Sequence, residues 1–123
     1  MLKKLKKILI VEDERPIRQA LGLKLENVGF SITSAVNGKE ALSIIGETKF
    51  DLILLDLVMP EIDGYEVLTQ LKKGGINTPV IVLSNLGQED DVKKAKDLGA
   101  EDYFVKSDTP LSRIVEKVKK QIK

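Results

Sequence analysis

Unbroken aliphatic runs alternate along the chain with stripes of helical spacing. Ile8–Val11, Leu52–Leu55 and Val80–Leu83 are apolar throughout. A short continuous run bounded by turn residues predicts a strand buried on both faces. Strands are therefore expected at Ile8–Val11, Asp51–Asp56 and Val80–Leu83, the last opened by Pro79. Ser31–Val36 and Glu101–Val105 mix polar and apolar positions, as edge strands do. Between them the spacing turns helical. Ile17, Leu21, Leu25 and Val28 share one face from Glu14 to Val28, with Pro16 in the first turn and Gly29 as the C-terminal cap. Asn37-Gly38 turns into a second helix carrying Ala41, Leu42 and Ile45. Val67, Leu68 and Leu71 line a third, ended by Gly74-Gly75. A charged fourth, Gly87 to Leu98, offers only Val92, Ala95 and Leu98, so thin packing is expected. Leu111, Ile114, Val115, Val118 and Ile122 face the core from a last helix, Pro110–Ile122.

Strand then helix, repeated without linker or low-complexity segment, implies an α/β fold: a doubly wound five-stranded parallel sheet covered on both faces. The aliphatic strands belong in the middle and the mixed ones at the edges. Order 2-1-3-4-5 satisfies this, keeps crossovers right-handed and puts a switch point between strands 1 and 3. The 123 residues are expected to form a single domain, 1–123.

Composition narrows the chemistry. A net charge of +1 argues against direct nucleic-acid binding. With no cysteine, disulfides and thiolate metal sites are excluded; with no histidine, so are histidine catalysis, His-ligated zinc and a phosphohistidine of its own. The opening MLKKLKKILIVEDE is too short in its apolar part and too acidic to be a signal peptide. No stretch approaches the roughly 20 apolar residues of a membrane span, so a cytoplasmic protein is expected. LKKLKK and VEKVKKQIK read as solvated flanks.

In a parallel sheet all strand ends of one kind lie on one edge. Strand 1 brings Glu12 and Asp13 there, strand 3 Asp56, strand 4 Ser84 and strand 5 Lys106. Two unit charges about 4 Å apart repel by roughly 4 kcal/mol at an effective dielectric near 20. Three converging carboxylates must therefore share a proton or a cation, and hard oxygen ligands favour Mg²⁺ or a similar ion. Asp13 and Ser84 each also suit a helix cap. Taken together, a carboxylate, a hydroxyl and an ammonium around a metal form a coherent phosphoryl-transfer site.

VEDE after strand 1, LLDLVMPEIDG around strand 3, VLSN after strand 4 and DYFVKS after strand 5 are the residues that carry a resemblance. Over essentially the whole chain the sequence resembles the receiver domain of two-component response regulators, which has a flavodoxin-like architecture. The resemblance implies that Asp56 accepts a phosphoryl group as an acyl phosphate. It implies Mg²⁺ held by Asp13 and Asp56, by Glu12 through water, and by the carbonyl of Val58. Lys106 and the Ser84 hydroxyl would meet the phosphoryl oxygens. Pro60, Asp63 and Gly64 match the turn that shapes the loop after the acceptor strand. Ser84 and Tyr103 match the hydroxyl–aromatic pair that relays phosphorylation to the face of helix 4, strand 5 and helix 5. The implied partners are a sensor histidine kinase or phosphotransfer protein, a downstream protein target or fused effector, and a second copy in a homodimer.

Three positions depart from the family's pattern. Glu12 stands where aspartate is more frequent, and its extra length bears on metal affinity. Ser107 follows Lys106 where proline in a cis bond is common; a Lys–Ser bond strongly prefers trans, so no proline sets the aim of Lys106. Asn85 is larger than the usual alanine or glycine, a size expected to narrow access to the phosphoryl group. The competing reading is a phosphorylation-independent interaction module of the same fold. An aspartate-based phosphohydrolase would need a second acid where Val58 stands. Flavin or dinucleotide binding would need a glycine- or hydroxyl-rich loop where VEDERPI stands.

Overall fold

A computed structural model describes residues 4–122; Leu2 and Lys3 of the basic N-terminal flank, and Lys123 of the C-terminal one, lie outside them. The strands are β1 (Lys7–Val11), β2 (Ser31–Ala35), β3 (Leu52–Leu55), β4 (Val80–Ser84) and β5 (Asp102–Val105). The helices are α1 (Arg15–Asn27), α2 (Gly38–Glu47), α3 (Gly64–Lys73), α4 (Glu89–Asp97) and α5 (Leu111–Gln121). All pairings are parallel and the order is β2-β1-β3-β4-β5. The expected fold class and strand order are both observed.

Alternation along each strand divides the core into two layers. Ile8, Ile10, Leu52, Leu54, Ile81 and Leu83 face one way, toward Leu21 and Leu25 of α1 and Ile114, Val115 and Val118 of α5. Leu9, Val11, Ile53, Leu55, Val80 and Val82 face the other, toward α2, α3 and α4. β1, β3 and β4 carry side chains buried from both sides, which explains their unbroken aliphatic sequences. The α4 helix has a single fully buried residue, Ala95, as its sparse apolar sequence led us to expect.

Element ends differ from the sequence pattern for local reasons. Val28 is 43% exposed rather than on the core face, because it lies past the last turn of α1 as its cap. Gly29 follows it at φ 101, a left-handed conformation that favours glycine. Asp51 stands outside β3, its carboxylate accepting the Lys7 N–H at 2.7 Å. Neither Asp13 nor Ser84 caps a helix: Glu14 holds that position in α1 and Gln88 in α4. Among the described residues no helix is long and apolar enough to cross a membrane.

Candidate functional site

The strand register assembles the site. Val11 pairs with Leu55, and the residues that follow them are Glu12 and Asp56. The Asp56 N–H donates to the Val11 carbonyl at 3.0 Å, so the ladder runs up to the first carboxylates. Ser84 pairs with Val105, which brings Lys106 to the same edge. Glu12, Asp56 and Ser84 are the buried polar residues among those described, at 2%, 3% and 0% exposure. A polar group buried at the end of an aliphatic strand costs stability unless it is paired.

For the two carboxylates that pairing comes from Lys106. Its ammonium lies 2.7 Å from Glu12 Oε1, 3.2 Å from Asp56 Oδ2 and 3.3 Å from Glu14 Oε1. Burial raises the Glu12 carboxyl to about 7, with the nearby Asp56 charge adding and Lys106 opposing. Burial also raises Asp56, again against Lys106. For Lys106 burial acts downward, but the hydrogen bond to Glu12 and the charges of Asp56 and Glu12 outweigh it, and its pKa is raised.

Glu12, Asp13 and Asp56 each offer an oxygen, and these oxygens lie within 4.8 Å of one another. All are hard donors, and Asp13 is exposed, which leaves room for water ligands. This donor set fits Mg²⁺. Asp56 Oδ1, the oxygen not bonded to Lys106, accepts the Val58 N–H at 3.3 Å, and Val58 is 56% exposed.

The loop after β3 is folded back tightly. The Gly64 N–H donates to the Leu57 carbonyl at 2.9 Å. A Cβ on Gly64 would lie 2.7 Å from Leu57 Cα and clash with the Asp56 carbonyl, so only glycine fits. Asp63 caps α3 by accepting the Glu66 N–H at 2.9 Å. Pro60 is exposed, and Glu61 after it turns through a left-handed φ of 66.

On the other side, the Ser84 hydroxyl accepts the Leu86 N–H at 3.2 Å. The Tyr103 hydroxyl donates to the Leu86 carbonyl. Tyr103 is half-buried beside Leu86 and Tyr65, and burial raises its phenol, with the Ser84 hydroxyl opposing.

The sequence-derived candidates thus lie along one edge of the sheet or in the loops that leave it, except Tyr103, which sits inside β5 opposite Val82. Sequence reasoning missed two neighbours. Glu14 is the third carboxylate on Lys106. The Arg18 guanidinium donates to the carbonyls of Glu12 and Asp13 at 3.0 and 3.3 Å, bracing the acid pair. Helical side chains lean toward the N-terminus, so a long residue near the start of a helix reaches back over the preceding loop; that spacing was the available signal. Asn85, singled out in the sequence for its size, also has a partner that the sequence did not show: its Oδ1 accepts the Ser107 N–H at 3.1 Å. Two of the departures from the family's pattern are bonded to each other, and the Lys106–Ser107 peptide is trans.

Comparison with known proteins agrees with this fold. A family model described as the response regulator receiver domain matches residues 8–119. The probable transcriptional regulator ycf27 of Porphyridium aerugineum is 41% identical over 104 residues, covering 85% of this chain and 43% of that protein. The transcriptional regulatory protein SrrA of Staphylococcus aureus is 43% identical over 103 residues, 84% of this chain and 42% of its own. The chain therefore spans about two-fifths of the length of these relatives. The receiver domain of the Francisella response regulator 1452 superposes with a TM-score of 0.90 at 34% identity, covering 95% of this chain and 96% of that one. With its fold, strand-end acids and sequence all in agreement, the chain belongs to the response regulator receiver domain family.

Proposed function

We propose that this receiver domain is a phosphorylation-controlled signalling module whose acceptor is Asp56. The observation that carries the proposal is a buried Asp56 with two further carboxylates within 4.8 Å and the Lys106 ammonium at 3.2 Å. Such a carboxylate is a nucleophile shielded from water and already beside a cation that can follow a phosphoryl oxygen. An Asp56 oxygen attacks phosphorus; the O–P bond forms as the bond to the donor breaks, and the donor's leaving group departs with its electron pair. Hydrolysis of the acyl phosphate by water resets the site. The chain catalyses only these two steps on itself.

Asp13 and Asp56 would hold Mg²⁺ directly, Glu12 through water, and the Val58 carbonyl would complete the protein's share. When bound, Mg²⁺ supplies positive charge for the phosphoryl oxygens. Lys106 supplies the same from the opposite side, and the Ser84 hydroxyl donates to a third oxygen. Pro60, Asp63 and Gly64 keep the acceptor loop in place around these groups.

Since the chain has no histidine, the phosphoryl group must come from outside: a histidine kinase, a phosphotransfer protein or a small phosphodonor. The readout runs through Ser84 and Tyr103, whose hydroxyls meet at the N–H and carbonyl of Leu86. Ser84 moving toward the phosphoryl group pulls on Leu86 and so on the ring of Tyr103, altering the α4-β5-α5 face. That face would bind a downstream protein, a fused effector or a second copy. The relatives' greater length and their names as transcriptional regulators support an effector of that kind.

The test is intact mass after incubation with phosphoramidate, with and without Mg²⁺, on the parent chain and on Asp56→Asn. A Mg²⁺-dependent gain of one phosphoryl group in the parent alone is expected. No gain under any condition would leave the fold and sink the phosphorylation reading, and the interaction-module reading would replace it.

A further inference from the structure

Lys106 is a long, flexible side chain whose head must reach Glu12 and Asp56, and its backbone lies just beyond the sheet. Residues Lys106–Asp108 form a 3₁₀ turn after β5. One side of this turn is fastened by Thr109, whose hydroxyl donates to the Val105 carbonyl at 2.8 Å and whose N–H donates to the Lys106 carbonyl at 3.4 Å. On the side facing β4, the Ser107 N–H donates to Asn85 Oδ1 at 3.1 Å. Asn85 immediately follows Ser84, and Ser107 immediately follows Lys106. Gly87 lays the loop after β4 against the end of β5: a Cβ there would sit 3.4 Å from Val105 Cγ2.

We propose that Asn85 is a positioning residue, its side-chain carbonyl clasping the Ser107 N–H so that Lys106 and Ser84 keep the spacing the phosphoryl group requires. The proposal rests on Asp56 being a phosphoryl acceptor. The sheet fixes the backbones of Ser84 and Val105 through their register, but the chain beyond each is held only by loop contacts. A side-chain acceptor joined to a backbone N–H across that gap removes freedom from a lysine whose four-carbon stem otherwise has many rotamers. The Ser107 N–H is essential to it, since a residue without a backbone donor could not close the clasp.

This reading opposes the expectation from size alone, in which Asn85 merely narrows the approach to Asp56. Asn85→Ala removes both bulk and acceptor, whereas Asn85→Leu removes the acceptor and keeps the bulk. If bulk matters, Ala is faster than the parent and Leu similar to it. If the clasp matters, both variants take phosphate from phosphoramidate roughly three- to tenfold more slowly, the scale of one hydrogen bond. Mg²⁺ affinity should stay within about twofold, because the carboxylates are untouched. The clasp is also read without any reaction, by carboxyl-carbon NMR of Glu12 and amide exchange of Ser107. Both variants should shift the Glu12 signal, as Lys106 moves relative to it, and speed exchange at Ser107.

Slower phosphorylation with unchanged Mg²⁺ affinity and a shifted Glu12 signal supports the proposal. Rates at or above the parent's in both variants overturn it. Should the parent itself gain no phosphoryl group, the acceptor reading fails on its own account. The NMR then decides the clasp: a shifted Glu12 signal keeps its hold on Lys106, and an unmoved one ends it.

Discussion

The Lys106 ammonium stands closer to Glu12, at 2.7 Å, than to Asp56, at 3.2 Å. One cation thus spans two buried carboxylates of the acidic cluster, with Glu14 completing its set from the exposed side. Removing one partner of a buried ion pair leaves the others uncompensated, typically at a cost of about 3–5 kcal/mol.

Lys106→Met should therefore lower stability by about 3 kcal/mol in Mg²⁺-free buffer at pH 7.5. Millimolar Mg²⁺ should restore much of that loss by supplying the missing positive charge. Urea unfolding followed by circular dichroism checks both parts. A loss that Mg²⁺ leaves untouched would contradict the electrostatic account.

Glu12 gives the stability a pH dependence. Its folded value of about 7, set chiefly by burial, exceeds the ordinary value of 4.5. The folded chain holds this proton more tightly, so the contribution is fully present below about pH 4.5 and is lost as pH rises through 7. Its ceiling is on the order of 3 kcal/mol. Asp56, also raised, acts in the same direction. In EDTA the urea midpoint should fall between pH 5 and pH 8, and Glu12→Gln should flatten the fall. A midpoint that rises over that interval would refute the assignment.

Two glycines should respond oppositely to alanine. Gly64→Ala drives a methyl into the backbone of Asp56 and Leu57, with about 1–3 kcal/mol lost and Mg²⁺ binding weakened. Gly46 lies inside α2, where an added methyl would meet nothing within 4 Å, and its change to alanine should gain about 0.5–1 kcal/mol. Equal effects at the two sites would argue against the close approach as the reason for Gly64.

Tyr103→Phe removes the hydroxyl bound to Leu86 while keeping the ring in its cluster. About 1 kcal/mol of stability should be lost. Phosphorylation by phosphoramidate should stay within roughly twofold of the parent, since the hydroxyl is hydrogen-bonded to Leu86 rather than to Lys106 or Asp56, whereas amide exchange in α4 should accelerate. Unchanged exchange would separate Tyr103 from α4.

The edge chemistry was legible because aliphatic runs announce central strands, and parallel strands deliver their last residues to one edge. Glu12, Asp56 and Ser84 each sit immediately beyond or at the end of such a run, and each is buried. What the pattern cannot carry is the direction of long side chains. The preference of Lys106 for Glu12, the reach of Arg18 back to two carbonyls and the meeting of Asn85 with Ser107 depend on rotamers and loop paths. Asp63 entered the loop set through the resemblance, and its further contact as the cap of α3 depends on the path of the chain. Val28 follows the helical period yet faces solvent, because periodicity does not record where a helix stops.

The α4 helix is moored to the sheet by one wholly buried methyl group, that of Ala95. Lifting such a helix brings little oil into contact with water, so its resting place is separated from neighbouring ones by a shallow slope. The α1 and α5 helices, sunk by Leu21, Leu25, Ile114, Val115 and Val118, sit in a far deeper well on the opposite layer. Stiffness is thus unevenly spread: α1 and α5 act as an anvil, α3 is held on the other layer by Val67, Leu68 and Leu71, and α4 is the element left to yield. A push of one or two hydrogen bonds at the sheet edge would find in α4 the element that costs least to move.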